Sequence, residues 1–140
     1  MSRDHRKLEA FVLTDSLVVD VYRATRTFPV EERYGLQSQL RRGAVSVAAN
    51  LVESSARPSE RDYLHFIAIA LGSASEVRYL VELAVRLGFL DPGGGTELAR
   101  RYDRVVRALQ GLVTALTEAR SPKSEVRSPK PQRLSERHCY

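Results

Sequence analysis

Apolar residues recur every three or four positions along most of the first 120 residues, the spacing that places them on one face of an α-helix. No segment alternates apolar and polar residues as a half-buried β-strand would. The pattern predicts helices at about residues 15–28, 36–56, 60–89 and 97–119. Because the connections are short, consecutive helices should be antiparallel neighbours, which predicts an all-α, up-down-up-down four-helix bundle over residues 1–120.

Proline, glycine and capping residues mark the ends of these predicted helices. Pro29 follows the first apolar face and lacks the N–H that a continuing helix needs. Ser59, with Asp62 three residues later, resembles a capping box that starts the third helix. The sequence Asp-Pro-Gly-Gly-Gly at 91–95 predicts a break, with Thr96 capping the fourth helix.

The second helix carries more apolar surface than one bundle core requires. At about 100° per residue, its core-facing seam consists of Leu36, Leu40, Gly43, Val47 and Leu51. Ala44, Val45, Ala48 and Val52 extend the apolar arc to roughly 180° from Leu36. A bundle helix needs an apolar stripe of only about 100° or slightly more. The surplus indicates a second surface that is buried elsewhere.

The third helix repeats this surplus outside its seam of Tyr63, Phe66, Ile67, Ala70, Ala74, Val77 and Ala84. Exposed apolar surface usually marks an interaction site, most simply with another copy of the same chain. We therefore predict a ring-like homo-oligomer whose subunit contacts include Val45, Ala48, Val52, Ile69, Leu80, Leu83 and Leu87. A thick core with poor patterning is the alternative explanation.

A row of polar residues occupies the remaining side of the second helix. Arg42, Ser46, Asn50 and Glu53 lie there, and Glu76 of the third helix is expected to be half-buried and paired with an arginine. One interpretation is a solvated face. The other is a polar network at the edge of a packed interface, where each buried group must find a hydrogen-bond partner.

The net charge of +5 and the pI near 9.7 favour an anionic partner, although the charge is unevenly distributed. Residues 121–140 carry five basic and two acidic residues, hence +3 of the +5. This segment has three prolines and few apolar residues, so we predict a disordered basic tail. Its repeated Ser-Pro-Lys, ending at Lys123 and Lys130, resembles the DNA-binding repeats of linker-histone tails.

Arginines on the fourth helix provide a second candidate for contact with nucleic acid. Arg100, Arg104 and Arg107 lie at roughly 180–240° from Leu98, opposite the core. They could form a phosphate-binding row, repeated in each subunit of an oligomer, or simply a solvated charged face. No aromatic residues alternate with these basic residues, so stacking on single-stranded bases is not expected.

The sequence lacks the patterns that catalysis or metal binding would require. The three histidines are far apart, no Cys/His pair has the spacing of a metal site, and the glycines at 93–95 follow no predicted strand. Arg133 and His138 have the Arg-to-His spacing of some helical ribonucleases but lie in the predicted tail. We therefore predict no enzymatic activity, cofactor or metal. The absence of a leader-like apolar segment and the single Cys139 favour a cytoplasmic location without membrane contact.

Several segments resemble one bacterial protein family in both order and spacing. They are FPVEERYGLQSQLRRGAVSVAANLVE, YLHFIAIALGSASEV and ELAVRLGFL, within about residues 11–119. They resemble the four-helix-bundle proteins encoded in intervening sequences of some 23S rRNA genes. Where that family usually reads Asn-Ile-Ala-Glu-Gly, this chain has Asn50-Leu51-Val52-Glu53-Ser54.

The resemblance implies an up-down bundle that assembles as a homopentamer. It also implies kinship with the accessory protein of diversity-generating retroelements, which is thought to bind nucleic acid and a reverse transcriptase. Two functional hypotheses follow. The chain is either a sequence-nonspecific nucleic-acid-binding module, in service of a partner enzyme such as a reverse transcriptase, or a structural oligomeric adaptor that binds proteins and has no nucleic-acid role. Salt-dependent binding to DNA or RNA would distinguish them.

Overall fold

A computed structural model describes the backbone of residues 2–120 and the side chains of residues 7–119. The described chain forms four α-helices: α1 Ser2–Ala24, α2 Leu36–Ser55, α3 Glu60–Arg86 and α4 Pro92–Arg120. Two short 3-10 helices, Thr25–Thr27 and Val30–Glu32, lie between α1 and α2. No strand occurs within residues 2–120. The predicted tail at 121–140, with Lys123 and Lys130, lies outside the described residues.

Each helix packs against two neighbours, in the cyclic order α1, α2, α3 and α4. Contacts between α1 and α2 show that these helices are antiparallel. Lys7, near the start of α1, donates a hydrogen bond to Ser55 at the end of α2. Arg41, near the start of α2, donates to the carbonyl of Tyr22 near the end of α1 at 3.2 Å. The fold is therefore a four-helix bundle, as the spacing of apolar residues predicted.

Most residues of the apolar seams predicted for α2 and α3 lie in the core, whereas Gly43 and Phe66 are only half-buried. On α4, six apolar residues at helical spacing are buried: Leu98, Tyr102, Val105, Leu109, Leu112 and Leu116. The α2 seam is also buried at Leu36, Leu40, Val47 and Leu51, and Ala44 belongs to it. α3 is apolar and long enough to cross a membrane by length and composition alone, a test that the core helix of a bundle also passes.

The prediction for α1 was wrong at both ends, because this helix begins at Ser2 and ends at Ala24. Its buried seam includes Ala10, Thr14, Leu17 and Val21, which keep helical spacing. A small residue and a hydroxyl occupy the first two of these positions, so the apolar pattern fades there. The Thr14 hydroxyl donates to the Phe11 carbonyl at 3.0 Å, which satisfies this buried group within its own helix.

The predicted break between α3 and α4 exists, but it ends at Asp91, because α4 begins at Pro92 and includes all three glycines. Asp91, and not Thr96, caps the helix. Its carboxylate accepts a hydrogen bond from the Gly94 amide at 3.1 Å, and its carbonyl accepts one from the Gly95 amide at 2.7 Å. Proline suits the first position of a helix, where its missing N–H would have no intrahelical partner.

The end of α3 comes three residues earlier than predicted, at Arg86. Gly88 has a φ of 77°, which places it in the left-handed region that glycine adopts without strain. The Phe89 amide donates to the Ala84 carbonyl at 2.9 Å, and the Gly88 amide donates to the Val85 carbonyl at 3.0 Å. These two bonds define a Schellman motif, which ends α3 and turns the chain toward α4.

Gly95 and Gly94 offer a matched test of packing at the start of α4. A Cβ at Gly95 would lie 2.2 Å from Cγ2 of Val85, whereas at Gly94 the nearest atom would be a carboxylate oxygen of Asp91, 4.0 Å away. We expect Gly95→Ala to lower the free energy of unfolding by about 1–3 kcal/mol through overpacking. Gly94→Ala should leave it unchanged or raise it by up to about 1 kcal/mol through helix propensity. Urea denaturation at equal subunit concentration measures both, and equal stabilities would contradict the expected close packing.

Candidate nucleic-acid interface

The arginine row on α4 is exposed, as predicted, but carboxylates on the same helix partly neutralise it. Arg100 donates to Glu97 through two nitrogens, at 3.0 and 2.8 Å. Arg107 forms an ion pair with Asp103 at 2.9 Å, and Arg104 lies between the two pairs along the helix. The hydrogen bond from Arg100 lowers the pKa of Glu97, so this carboxylate stays ionised at neutral pH. The row therefore offers less positive charge than its three arginines suggest.

A denser group of cationic side chains lies where α1 turns into α2. Residues of α1, of the turn before α2 and of the first turns of α2 line one open groove of about 450 Å³. We call five of these residues the arginine–tyrosine cluster: Tyr22, Arg33, Tyr34, Arg41 and Arg42. Gln37 and Ser38 complete the lining, and no carboxylate is among the described residues that line the groove. Three guanidinium groups thus share one concave surface without an acidic side chain on it.

Arg41 is held rigidly within the cluster. Its Nε donates to the Thr25 hydroxyl at 2.8 Å, and one terminal nitrogen donates to the Tyr22 carbonyl. Its guanidinium lies 4.6 Å from the centre of the Tyr22 ring, a cation–π contact. Thr25 is buried and its hydroxyl donates to the Val21 carbonyl at 2.8 Å. Arg41 therefore has a fixed orientation at the side of the groove.

Three other members of the cluster face solvent. Arg33 and Arg42 are exposed, and within the described chain neither forms an ion pair. Tyr34 is 90% exposed, which is unusual for an aromatic side chain. Sequence reasoning missed this site, because it placed Arg42 in the polar row and found no aromatic residues among the basic ones. The signal available was local, since Arg33, Tyr34, Arg41 and Arg42 lie within ten residues of sequence.

The predicted polar network exists in part, and it joins α2 to α3. Ser46 and Ser73 contact each other through their hydroxyl oxygens at 2.9 Å. The side-chain Nδ2 of Asn50 donates to the Ser46 carbonyl at 2.8 Å and to the Ser46 hydroxyl oxygen at 3.1 Å. Glu53 pairs instead with Arg57, one turn further along the chain. Three half-buried polar groups are thus satisfied at the edge of the α2–α3 contact.

Besides Glu53, two more members of the predicted network do not belong to it. Glu76 is exposed, so the prediction that it is half-buried and paired was wrong. The arginine of α3 that does form an interhelical pair is Arg78, which contacts Asp103 of α4 at 2.7 Å. Arg42 faces the groove of the arginine–tyrosine cluster. For both residues the sequence predicted the position around the helix axis, but it did not predict which side chains pack at that position.

The predicted subunit-contact residues fall into three groups. Val45, Val52, Ile69 and Leu87 are exposed apolar residues in the single chain. Ala48 and Leu83 are half-buried. Leu80 is only 6% exposed and belongs to the core, so its assignment to an outer face was wrong. Its neighbour Val81 is buried as well, because α3 packs against both α2 and α4 and therefore buries a wide arc.

Part of this apolar surface is continuous with α1. Leu8 and Phe11 of α1, with Leu51 and Val52 of α2, line a shallow groove of about 400 Å³ together with Lys7 and Ser55. Leu8 is 61% exposed and Val52 is 56% exposed. This part of α1 precedes the predicted start of the first helix at about residue 15, so this side of the apolar surface was not predicted.

The described side chains form no cluster of metal-binding groups. Within residues 7–119, no three His, Cys, Asp or Glu side chains converge as metal ligands would. His65 is exposed and lies edge-on to the Phe66 ring at 5.4 Å. The buried Tyr102 has a pKa raised by its burial, so its hydroxyl remains protonated. The described surface does carry exposed cationic and apolar side chains, which are suited to binding another molecule.

The architecture and this surface define a class of protein: a helical bundle with exposed apolar and cationic faces. A family model for the 23S rRNA-intervening sequence protein matches residues 6–111, and the chain belongs to that family. This confirms the resemblance seen in the sequence. At the position of the family's usual glycine, Ser54 is buried within α2, and its hydroxyl donates to the Leu51 carbonyl at 2.6 Å. The helix therefore continues through this departure from the family pattern.

A solved structure supports the fold. It is the crystal structure, at 1.70 Å resolution, of a protein of unknown function from the S23 ribosomal protein family of Bacteroides thetaiotaomicron. The TM-score is 0.72 at 18% sequence identity, and the alignment covers 78% of this chain and 98% of that one. No curated protein matches the chain in sequence. Neither the family description nor this structure indicates an enzymatic activity.

The hydrogen bonds of Thr25 give a test of how the cluster is held. Thr25→Val keeps the volume but removes the acceptor for Arg41 and the donor to Val21. We expect a loss of roughly 1–2 kcal/mol in the free energy of unfolding, because Arg41 can recover part of its hydrogen bonding from water. Thr25→Ser should retain most of the stability. Urea denaturation at fixed subunit concentration measures the difference, and a Thr25→Val variant as stable as wild type would show that this contact does not hold Arg41.

Proposed function

We propose that this protein is a non-enzymatic, cytoplasmic, homo-oligomeric module that binds nucleic acid without sequence preference. The arginine–tyrosine cluster is the observation that carries the proposal. Its three guanidinium groups line one groove with no carboxylate among the described lining residues, unlike the arginine row on α4. Guanidinium groups match the geometry of phosphate oxygens and can bind them with two hydrogen bonds.

The lack of sequence preference follows from the kind of contact. Phosphates are the same at every nucleotide, so contacts with them position a nucleic acid but read no sequence. Arg104 supplies further weak attraction on α4, where the charges of Arg100 and Arg107 are offset by Glu97 and Asp103. Lys123 and Lys130 would add to it from the segment beyond residue 120. Such binding weakens steeply as salt rises, because counterions are released when phosphates are neutralised.

The exposed apolar residues support assembly, for which the family resemblance implies a pentamer. Val45 and Val52 lie seven residues apart on α2, and Val52 shares a groove with Leu8 of α1. In a ring with cyclic symmetry, every copy presents its arginine–tyrosine cluster in an equivalent position. Linked weak sites bind a polymer far more strongly than one site does, so assembly would convert a weak phosphate site into useful affinity.

A protein-binding adaptor is the second candidate, and the apolar groove between Leu8 and Val52 favours it. In that case the groove would hold a protein partner such as a reverse transcriptase, and the cationic residues would be a solvated surface. The two candidates differ in one measurable property, which is salt-dependent affinity for nucleic acid.

Charge reversal at two places tests the nucleic-acid proposal. Arg33→Glu with Arg42→Glu, and Arg104→Glu with Arg107→Glu, change the net charge by the same amount. We expect the first pair to lower affinity for a labelled oligonucleotide at least tenfold at 50 mM salt, and to reduce the slope of log affinity against log salt by about 0.9 per lost duplex phosphate contact. The second pair should have a smaller effect. Fluorescence anisotropy between 50 and 200 mM salt measures both.

Two results would contradict this expectation. Equal losses from the two pairs would show that net charge alone, and not the cluster, attracts nucleic acid. If the wild-type protein binds neither duplex nor single-stranded nucleic acid at low salt, the adaptor becomes the better description.

A buried charge tests the assembly. Val52→Glu places a carboxylate in the apolar groove and should dissociate the oligomer to monomers with little loss of helical circular dichroism, because Val52 lies outside the core. Val30→Glu adds the same charge at a more exposed valine outside that groove and should leave the mass unchanged. Light scattering at micromolar concentration measures the mass. A wild-type protein that is already a monomer would refute the assembly.

A further inference from the structure

We infer that the arginine–tyrosine cluster binds single-stranded nucleic acid in preference to duplex, with an unpaired base stacked on Tyr34 and the flanking phosphates on Arg33 and Arg42. This inference rests on the proposed function and specifies its substrate. It also reverses the expectation, drawn from sequence alone, that no base stacking occurs. Its basis is the juxtaposition of an exposed aromatic ring and cationic side chains along one groove.

Tyr34 has the properties of a stacking platform. Its side chain is 90% exposed, although burying an aromatic ring is usually favourable. The backbone beneath it is ordered by successive turn hydrogen bonds, from the Arg33 amide to the Val30 carbonyl at 3.1 Å and from the Gly35 amide to the Glu32 carbonyl at 3.1 Å. The ring is therefore presented to solvent from a defined turn and remains available to another flat group.

The neighbouring charges suit a strand whose base occupies that ring. Arg33 precedes Tyr34 in sequence, and Arg42 lines the same groove from α2. Each is exposed, so each can reach a phosphate on one side of the stacked nucleotide. Arg41 remains directed by Thr25 and Tyr22 and forms a fixed cationic side of the groove. Proteins that bind single strands combine these same elements, a charged groove and an aromatic platform.

Base stacking also sets the preference between single strands and duplexes. In a duplex, each base face is covered by the next base pair, so Tyr34 could reach it only after unstacking. An unpaired base offers its face directly, and stacking on an aromatic side chain is tolerant of base identity. The cluster should therefore favour single strands while showing little sequence preference.

Three labelled 20-mer probes separate stacking from charge: oligo(dT), an abasic strand with the same number of phosphates, and a hairpin duplex. By fluorescence anisotropy, we expect wild-type protein to bind oligo(dT) roughly five- to a hundredfold more tightly than the abasic strand, the range expected for one stacked base. Tyr34→Ala should bring the two affinities to within about twofold, and Tyr34→Phe should keep the preference because the ring remains. Arg42→Gln should weaken binding to all three probes by a similar factor.

Tyr79 provides a matched control on α3. It is 54% exposed and lies beside an arginine, with the Arg86 guanidinium 6.0 Å from its ring centre, but it is outside the groove. Tyr79→Ala should leave the preference for oligo(dT) unchanged. Light scattering of each variant checks that the assembly is unaltered.

The possible failures are distinguishable. Equal affinity of wild-type protein for oligo(dT), the abasic strand and the duplex would overturn the stacking inference but leave nucleic-acid binding intact. A preference that survives Tyr34→Ala would overturn the assignment of the platform. A change in oligomer mass on Tyr34→Ala would show that a second copy of the chain covers this groove, which also overturns the inference. Absence of binding to every probe would overturn the proposed function as well.

Discussion

The burial of one continuous apolar seam is the constraint on which the rest of this structure depends. Fully burying one leucine is worth about 1.5–3 kcal/mol, and the seam buries side chains from all four described helices. Small residues such as Ala44, Ala70 and Ala74 are completely buried, which lets α2 and α3 approach each other closely. At one end, the rings of Phe28 and Phe89 lie 5.7 Å apart and join the α1–α2 and α3–α4 connections. The path of the turn that presents the arginine–tyrosine cluster is therefore set by the core.

Much of the fold could be predicted from the sequence because the seam has helical periodicity in α2, α3 and α4. The predicted start of α1 was too late because Thr14 occupies a core position. Its hydroxyl is satisfied by the Phe11 carbonyl rather than by a neighbouring helix. The start of α4 was misplaced because glycines usually break helices. Here Gly95 packs against Val85 where a Cβ would not fit, so close contact with α3 outweighs propensity.

The candidate site was harder to predict, since it depends on which side chains meet. The helical angles correctly predicted that the arginine row on α4 is exposed. The ion pairs that partly neutralise this row were also predictable, because Glu97 and Arg100 are three residues apart and Asp103 and Arg107 are four residues apart. The arginine–tyrosine cluster could not be assembled in this way, because Tyr22 and Arg41 are separated by a proline-containing reversal. Their contact became visible only when the path of that reversal was known.

The anchoring of Arg41 has a consequence for how tightly this groove can hold a ligand. A free arginine side chain carries about 2 kcal/mol of rotamer entropy, part of which is lost whenever it binds a phosphate. Thr25 and Tyr22 already restrict Arg41 in the folded chain, so part of this rotamer entropy is lost on folding, before any ligand binds. A preorganised guanidinium gives up little further freedom on binding, which lengthens the residence time of its ligand. Arg33 and Arg42 keep their freedom, so under the proposed function they would adapt to differently spaced phosphates, and the groove would combine one rigid contact with two adjustable ones.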